Sequence, residues 1–185
     1  MISCLRLLLA AMALAFVRDW FPSSAGPLTV VGMLAASRLL DLTDGYFARR
    51  FESNERVGSV VDMLVDLTTH TIVWSISGLW FAPALILLEW VGGVGILVAG
   101  CSGSEKWKTA LSNNGSRWIQ VYFRKNQRNV VCGYASVSHF LFPMSMFAGL
   151  SVWFRVFSLP GLFLYESVTA YLVLEAGRAL LKPSR

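Results

Sequence analysis

Four aspartates carry the chemistry of this chain. Asp41 and Asp44 stand three residues apart, and Asp62 and Asp66 stand four apart. On a helix, either spacing puts both carboxylates on one face. Leu39, Leu40, Leu42, Val60, Val61, Met63, Leu64 and Val65 surround them, so the acids are set in apolar sequence. Charge is costly in such a setting. Four carboxylates gathered there would repel one another and be driven to protonate unless a cation joined them. Divalent ions supply that counter-charge, and an all-oxygen donor set suits Mg2+ or Mn2+. Without metal, neutral amides in place of the acids should relieve the repulsion and raise stability.

Small residues and an arginine complete the pattern. Asp41, Asp44, Gly45, Ala48, Arg49, Gly58, Asp62 and Asp66 spell D-x2-D-G-x2-A-R-x8-G-x3-D-x3-D. At average residue frequencies, eight identities at fixed spacing arise by chance at on the order of 10⁻¹⁰ per starting position. Gly45 and Ala48 remove bulk from the helix face that carries Asp41 and Asp44, so a nucleotide can lie against the backbone. Small residues in membranes also serve plain helix packing. Arg49 offers a guanidinium fork that matches phosphate oxygens.

The pattern resembles the signature of the CDP-alcohol phosphatidyltransferases at every fixed position. The resemblance implies a membrane enzyme with six transmembrane helices. Such an enzyme moves a phosphatidyl group from CDP-diacylglycerol to an alcohol and releases CMP. Asp41, Asp44, Asp62 and Asp66 would hold two Mg2+ or Mn2+ ions, and Gly45, Ala48, Arg49 and Gly58 would bind the donor. Asp66 would take the proton of the attacking hydroxyl. A carboxylate beside two cations is a weak base and acts mainly by position. Ser3-Cys4-Leu5-Arg6 matches the Ser/Thr/Gly-x-x-Arg of the family's first helix. The Pro-Asn that usually precedes it is absent, and the expectation is a chain shortened at its start. Glu55 stands where many members carry a small hydroxyl residue, an acid expected to weaken donor phosphate binding.

The elements that must position these residues follow from composition. Of 185 residues, 55% are hydrophobic and 15% charged, against about 25% charged in soluble domains. This describes a polytopic membrane protein, with one domain over residues 1–185. Cys4, Cys101 and Cys132 lack C-x-x-C spacing and give neither a disulfide framework nor a zinc site. A span needs about 20 apolar residues. Six segments qualify, at about residues 1–17, 28–51, 56–80, 83–101, 129–150 and 159–181. The first has Arg6 inside it and no basic leader, so it reads as a span rather than a signal peptide. Six spans put 12 basic residues on the side of both termini and two, Arg18 and Arg155, opposite. By the positive-inside rule both termini are cytoplasmic. The expected fold is therefore an all-α membrane protein with six transmembrane helices. Its second and third helices are antiparallel neighbours, bringing the four acids together below the cytoplasmic interface. The protein would be multi-pass, in the endoplasmic reticulum membrane of a eukaryote or otherwise in the plasma membrane.

The acceptor is the open question. Glu89 lies inside the fourth apolar segment. Gly103-Ser104-Glu105-Lys106-Trp107-Lys108 follows, then an Asn114-Gly115 turn and a basic stretch centred on Tyr122. This layout is similar to the eukaryotic-type phosphatidylinositol synthases, which implies myo-inositol as acceptor. Leu67 departs from it, since inositol and glycerophosphate enzymes usually have a basic residue there. From Val130 to Gly177 the sole basic residue is Arg155. A phosphorylated acceptor would find no cluster of cations there, and a neutral polyol needs none. Glu89, Ser136, Ser138, His139 and Ser145 offer hydrogen bonds, although His139 reads more simply as a packed helix histidine. The alternatives are the same chemistry with glycerol 3-phosphate or serine, an inactive member acting as an interaction subunit, and a divalent-cation transporter. The basic loop from Lys106 to Arg128 is drawn to anionic headgroups by about 1 kcal/mol per basic residue. It is too short for a nucleic-acid role. Expected partners are the donor lipid, the alcohol, the bilayer and a second copy in a homodimer.

Overall fold

The computed structural model describes residues 2–15, 17, 26–50, 55–102, 115–125 and 127–181; at 2–4, 41–50, 55–59, 98–102 and 179–180 it describes the helical backbone alone. Seven helices follow one another, with no strand among the described residues. They are α1 (Ile2–Ala15), α2 (Gly26–Arg50), α3 (Glu55–Ile76), α4 (Ala82–Ser102), α5 (Arg117–Phe123), α6 (Val130–Phe147) and α7 (Val152–Leu181). Among the described residues two stretches, Val130–Phe147 and Val152–Arg178, are long and apolar enough to cross a membrane. Leu5–Ala15, Gly26–Leu40 and Ala82–Leu97 are shorter apolar helical runs.

The first compact unit comprises Met1–Pro83 and Met146–Leu150. In it α1 packs against α2 and α3. Its buried apolar residues include Ala10 and Ala13 of α1, Val30 and Leu34 of α2, and Val65, Val73 and Trp74 of α3. Leu8, Leu39 and Leu64 are exposed. In lipid such side chains cost nothing outside, so association depends on close fit and polar contacts. The hydroxyls of Thr68, Thr69 and Thr71 donate to the carbonyls of Leu64, Val65 and Leu67 at 2.7, 2.8 and 2.8 Å. Bonding back along the helix hides these hydroxyls within an apolar segment. The expected third span runs to residue 80, but α3 stops at Ile76. Gly78 takes a left-handed φ of 68° there, which only glycine adopts freely.

The second unit comprises Ala84–Ser145 and Ser151–Arg185. Glycines set how closely α7 approaches its neighbours. A Cβ on Gly92 of α4 would touch Thr169 and Val173 at 3.4 Å, and one on Gly95 would lie 2.9 Å from Ala176 Cβ. Across the α6–α7 contact, a Cβ on Gly161 would lie 2.6 Å from Ser138 Cβ. Small residues allow this backbone approach. Ile119, Tyr122 and Phe123 of α5 join Cys132, Ala135 and Val168 in a buried core. Asn129 joins α5 to α6: its Oδ1 accepts from the Cys132 N–H at 2.9 Å, and its Nδ2 donates to the carbonyls of Tyr122 and Arg124. The first bond is an N-cap. Burial, with the Cys132 thiol beside it, pushes the Tyr122 phenol well above its usual range, so it stays protonated.

The sixth expected span begins at about 159, whereas α7 begins at Val152. Pro160 lies inside the helix and removes an N–H from its ladder without ending it. Beside that gap the Ser158 hydroxyl donates to the Phe154 carbonyl at 2.6 Å. The short helix α5, in the basic loop, has no counterpart in the six expected spans.

Candidate active site

The site is built on α3, which carries Asp62 and Asp66 one turn apart. Both carboxylates meet arginines from other helices of the first unit. Arg6 of α1 is fully buried. Its Nη1 donates to Asp62 Oδ1 at 2.6 Å, and its Nη2 donates to Asp66 Oδ1. Arg38 of α2 donates from Nη1 to the same Asp66 oxygen at 3.1 Å. The Ser37 hydroxyl donates to the Arg6 backbone carbonyl at 3.3 Å, a further tie between α1 and α2. Three helices therefore converge on Asp66.

Among the described side chains, the carboxylates of Asp62 and Asp66 face the guanidinium groups of Arg6 and Arg38. Bonds of this kind, with both partners charged, are shorter and stronger than neutral ones. An arginine without exposure inside an apolar helix requires such partners, because an unpaired buried charge is prohibitive. Asp62 and Asp66 keep 46% and 33% of their side-chain surface open. The pair is thus fixed from the protein side and accessible from the other.

This donor chemistry fits a hard divalent cation. Asp62 and Asp66 present carboxylate oxygens on one helix face, the ligands that Mg2+ and Mn2+ prefer. Asp41, Asp44, Gly45, Ala48 and Arg49 lie on the helical backbone of α2, and Gly58 lies on that of α3. Their side chains and surroundings fall outside the described residues, as do those of Glu55.

In the second unit, two of the five polar residues expected near an acceptor come together. Glu89 Oε1 lies 3.3 Å from His139 Nε2. Ser145 instead donates to the Phe142 carbonyl at 2.7 Å, and Ser138 lies against Gly161. Sequence reasoning passed over Tyr165 and Glu166, which also meet this pair. It also left Arg6 and Arg38 without a role. The available signal was the cost of an ionised group within an apolar span, which demands a partner.

A family model described as CDP-alcohol phosphatidyltransferase matches residues 1–159. No curated protein and no solved structure matches the chain. The matched stretch contains both aspartate pairs, Arg6, Arg38, Glu89 and His139, and ends before Tyr165 and Glu166. The family is typically metal-dependent, in keeping with the carboxylates of α3. With two helices long enough to cross a bilayer, it also points to a membrane protein. The signature and its supporting arginines thus lie within one continuous match, and the chain belongs to the CDP-alcohol phosphatidyltransferase family, transferases that move a phosphatidyl group from a CDP-alcohol to an alcohol acceptor.

Proposed function

We propose that the protein transfers a phosphatidyl group from CDP-diacylglycerol to myo-inositol, giving phosphatidylinositol and CMP. The observation that carries the chemistry is Asp66, held on one oxygen by two arginines and one turn from Asp62. The acceptor hydroxyl gives its proton to Asp66 as its oxygen attacks the phosphorus that bears the diacylglycerol. The bond from that phosphorus to the bridging oxygen breaks, and CMP leaves. Asp41, Asp44, Asp62 and Asp66 would hold two Mg2+ or Mn2+ ions, which would supply positive charge to polarise the phosphate and stabilise the leaving group. Arg6 keeps Asp62 and Asp66 in register, so that orientation is set before substrate arrives. Arg49 binds donor phosphate, while Gly45, Ala48 and Gly58 leave room for the nucleotide.

The choice of inositol is supported by charge. Arg155 is the sole basic residue from Val130 to Gly177, and the polar groups meeting in the second unit are two carboxylates, an imidazole and a phenol. Phosphate on an acceptor would lose charge-assisted hydrogen bonds worth about 1.5–3 kcal/mol each. Residues 1–185 act as one catalytic domain with six spans, both termini and the site on the cytoplasmic side, and two copies form a homodimer. The decisive experiment supplies purified protein with CDP-diacylglycerol, metal and a panel of alcohols, and measures CMP release. Inositol should exceed glycerol 3-phosphate in kcat/KM by one to two decades, about 1.4 kcal/mol per decade. The opposite preference removes the inositol assignment and leaves family membership untouched.

A further inference from the structure

Helix α5 and the turn after it present a surface that the transferase chemistry leaves unused. One face of α5 is spent inside the second unit: Ile119, Tyr122 and Phe123 are buried with Cys132, Ala135 and Val168. The outer face is also apolar in part. Trp118 and Val121, three residues apart and so on one side of the helix, are 43% and 49% exposed. Trp118 is held edge-on to Tyr171 of α7, with ring centroids 5.7 Å apart.

Cations flank this apolar stripe. Arg117, four residues before Val121, shares its side of the helix. Arg124, Lys125 and Arg128 follow in the turn, and all four are exposed. The turn is fixed, since the N–H groups of Gln127 and Arg128 donate to the carbonyls of Phe123 and Lys125 at 3.3 and 3.1 Å. Lys125 and Gln127 take left-handed φ values of 55° and 68°, a conformation that residues with side chains adopt at a cost. From Gly115 to Val130 there is no acidic residue. Among the described residues, none of the four cationic side chains meets a carboxylate. Unpaired cations beside an exposed indole match a partner that offers negative charge at the edge of an apolar phase. An anionic bilayer surface is such a partner, with phosphates for the cations and the headgroup–acyl boundary for the ring.

We propose that α5 and its turn form a docking surface for anionic phospholipids. Trp118 and Val121 sit at the headgroup–acyl boundary, and Arg117, Arg124, Lys125 and Arg128 face lipid phosphates. A zwitterionic headgroup brings its own cation and is the poorer partner. The surface does not depend on which alcohol the enzyme uses.

The test reads which lipid lies beside α5. A fluorophore is attached through Val121→Cys in the full chain lacking Cys4, Cys101 and Cys132, reconstituted in phosphatidylcholine nanodiscs. A nitroxide-bearing lipid quenches it, supplied at equal mole fraction either as phosphatidylglycerol or as phosphatidylcholine. The phosphatidylglycerol form should quench about fivefold more effectively, the preference that one surface cation confers. That preference should vanish in about 1 M salt, where the Debye length is about 3 Å. It should also vanish when Arg117→Gln, Arg124→Gln, Lys125→Gln and Arg128→Gln are combined. If the chain without cysteines fails to fold, the difference in tryptophan quenching between wild type and Trp118→Phe gives the same comparison with brominated forms of the two lipids. Equal quenching by both lipids, or a preference that survives the four substitutions, would overturn the docking surface. So would a fluorophore that neither lipid reaches, whether it lies in water or beneath a second protein.

Discussion

Replacing both acids of α3 by amides, Asp62→Asn together with Asp66→Asn, should destabilise the protein even when metal is chelated. Spacing alone argues the reverse, because two neighbouring carboxylates repel. Arg6 changes the sign. It is fully buried and donates to both acids, and Arg38 adds a third contact at 3.1 Å. A hydrogen bond to a charged group contributes about 1.5–3 kcal/mol and a neutral one about 0.5–1.5. Each of the three contacts therefore loses about 1 kcal/mol when its carboxylate becomes an amide. The acids are 46% and 33% exposed, so solvent screening lowers the total to about 2 kcal/mol. Relief of repulsion across one helical turn returns only about 0.2–0.5 kcal/mol. For a chain of this size the net loss lowers Tm by roughly 3–8 °C. The assay is thermal unfolding of detergent-purified protein in excess chelator. A double variant that melts at or above wild type would refute the view that Arg6 depends on these acids.

Three further outcomes are expected. CMP release should stop in chelator and return with Mg2+ or Mn2+; full activity without metal would end the two-metal proposal. Gly161→Ala should cost about 1–3 kcal/mol by overpacking against Ser138, whereas Gly92→Ala, with nearest contacts at 3.4 Å, should change the melting temperature little; equal effects would contradict the close α6–α7 approach. A single cysteine at Ser112 should react with a membrane-impermeant probe from the cytoplasmic side and one at Ser24 from the opposite side, in a background without Cys4, Cys101 and Cys132; the reverse labelling would reject the proposed topology.

The residues that sequence could read were those whose meaning lies along one helix. The Asp62–Asp66 interval is a helical turn wherever the helix packs, and α3 carries both acids as expected. The apolar runs likewise marked α1 to α4 and α6, with α2 beginning at Gly26 against about 28 and α4 at Ala82 against about 83. Ends were read less well where a single residue decided them. Gly78 stops α3 through a left-handed turn, and Pro160 fails to start α7 because the preceding residues are already helical. A proline is permitted inside a long helix whose neighbouring residues hold it, and the local pattern does not tell that case from a first turn.

Contacts between helices were not legible in the same way, and they are what give the site its character. Arg6 and Asp62 are 56 residues apart, and Tyr165 and Glu89 are 76 apart. No periodicity links such pairs; rotation and packing of whole helices do. What sequence does supply is a debt of charge. Arg6, Arg38, Glu89 and Glu166 all stand in apolar helical segments, where an unpaired ion is not tolerated. Each residue therefore announces that a partner exists without naming it. For Arg6 and Arg38 the partners are the acids of α3, and the pairing turns an apparent source of repulsion into a fixed constellation. For Glu166 the partner is the imidazole of His139, whose Nδ1 lies 3.0 Å from its Oε1. Charge within an apolar helix thus tells that a contact exists, and only the packing of whole helices tells which of them supplies it.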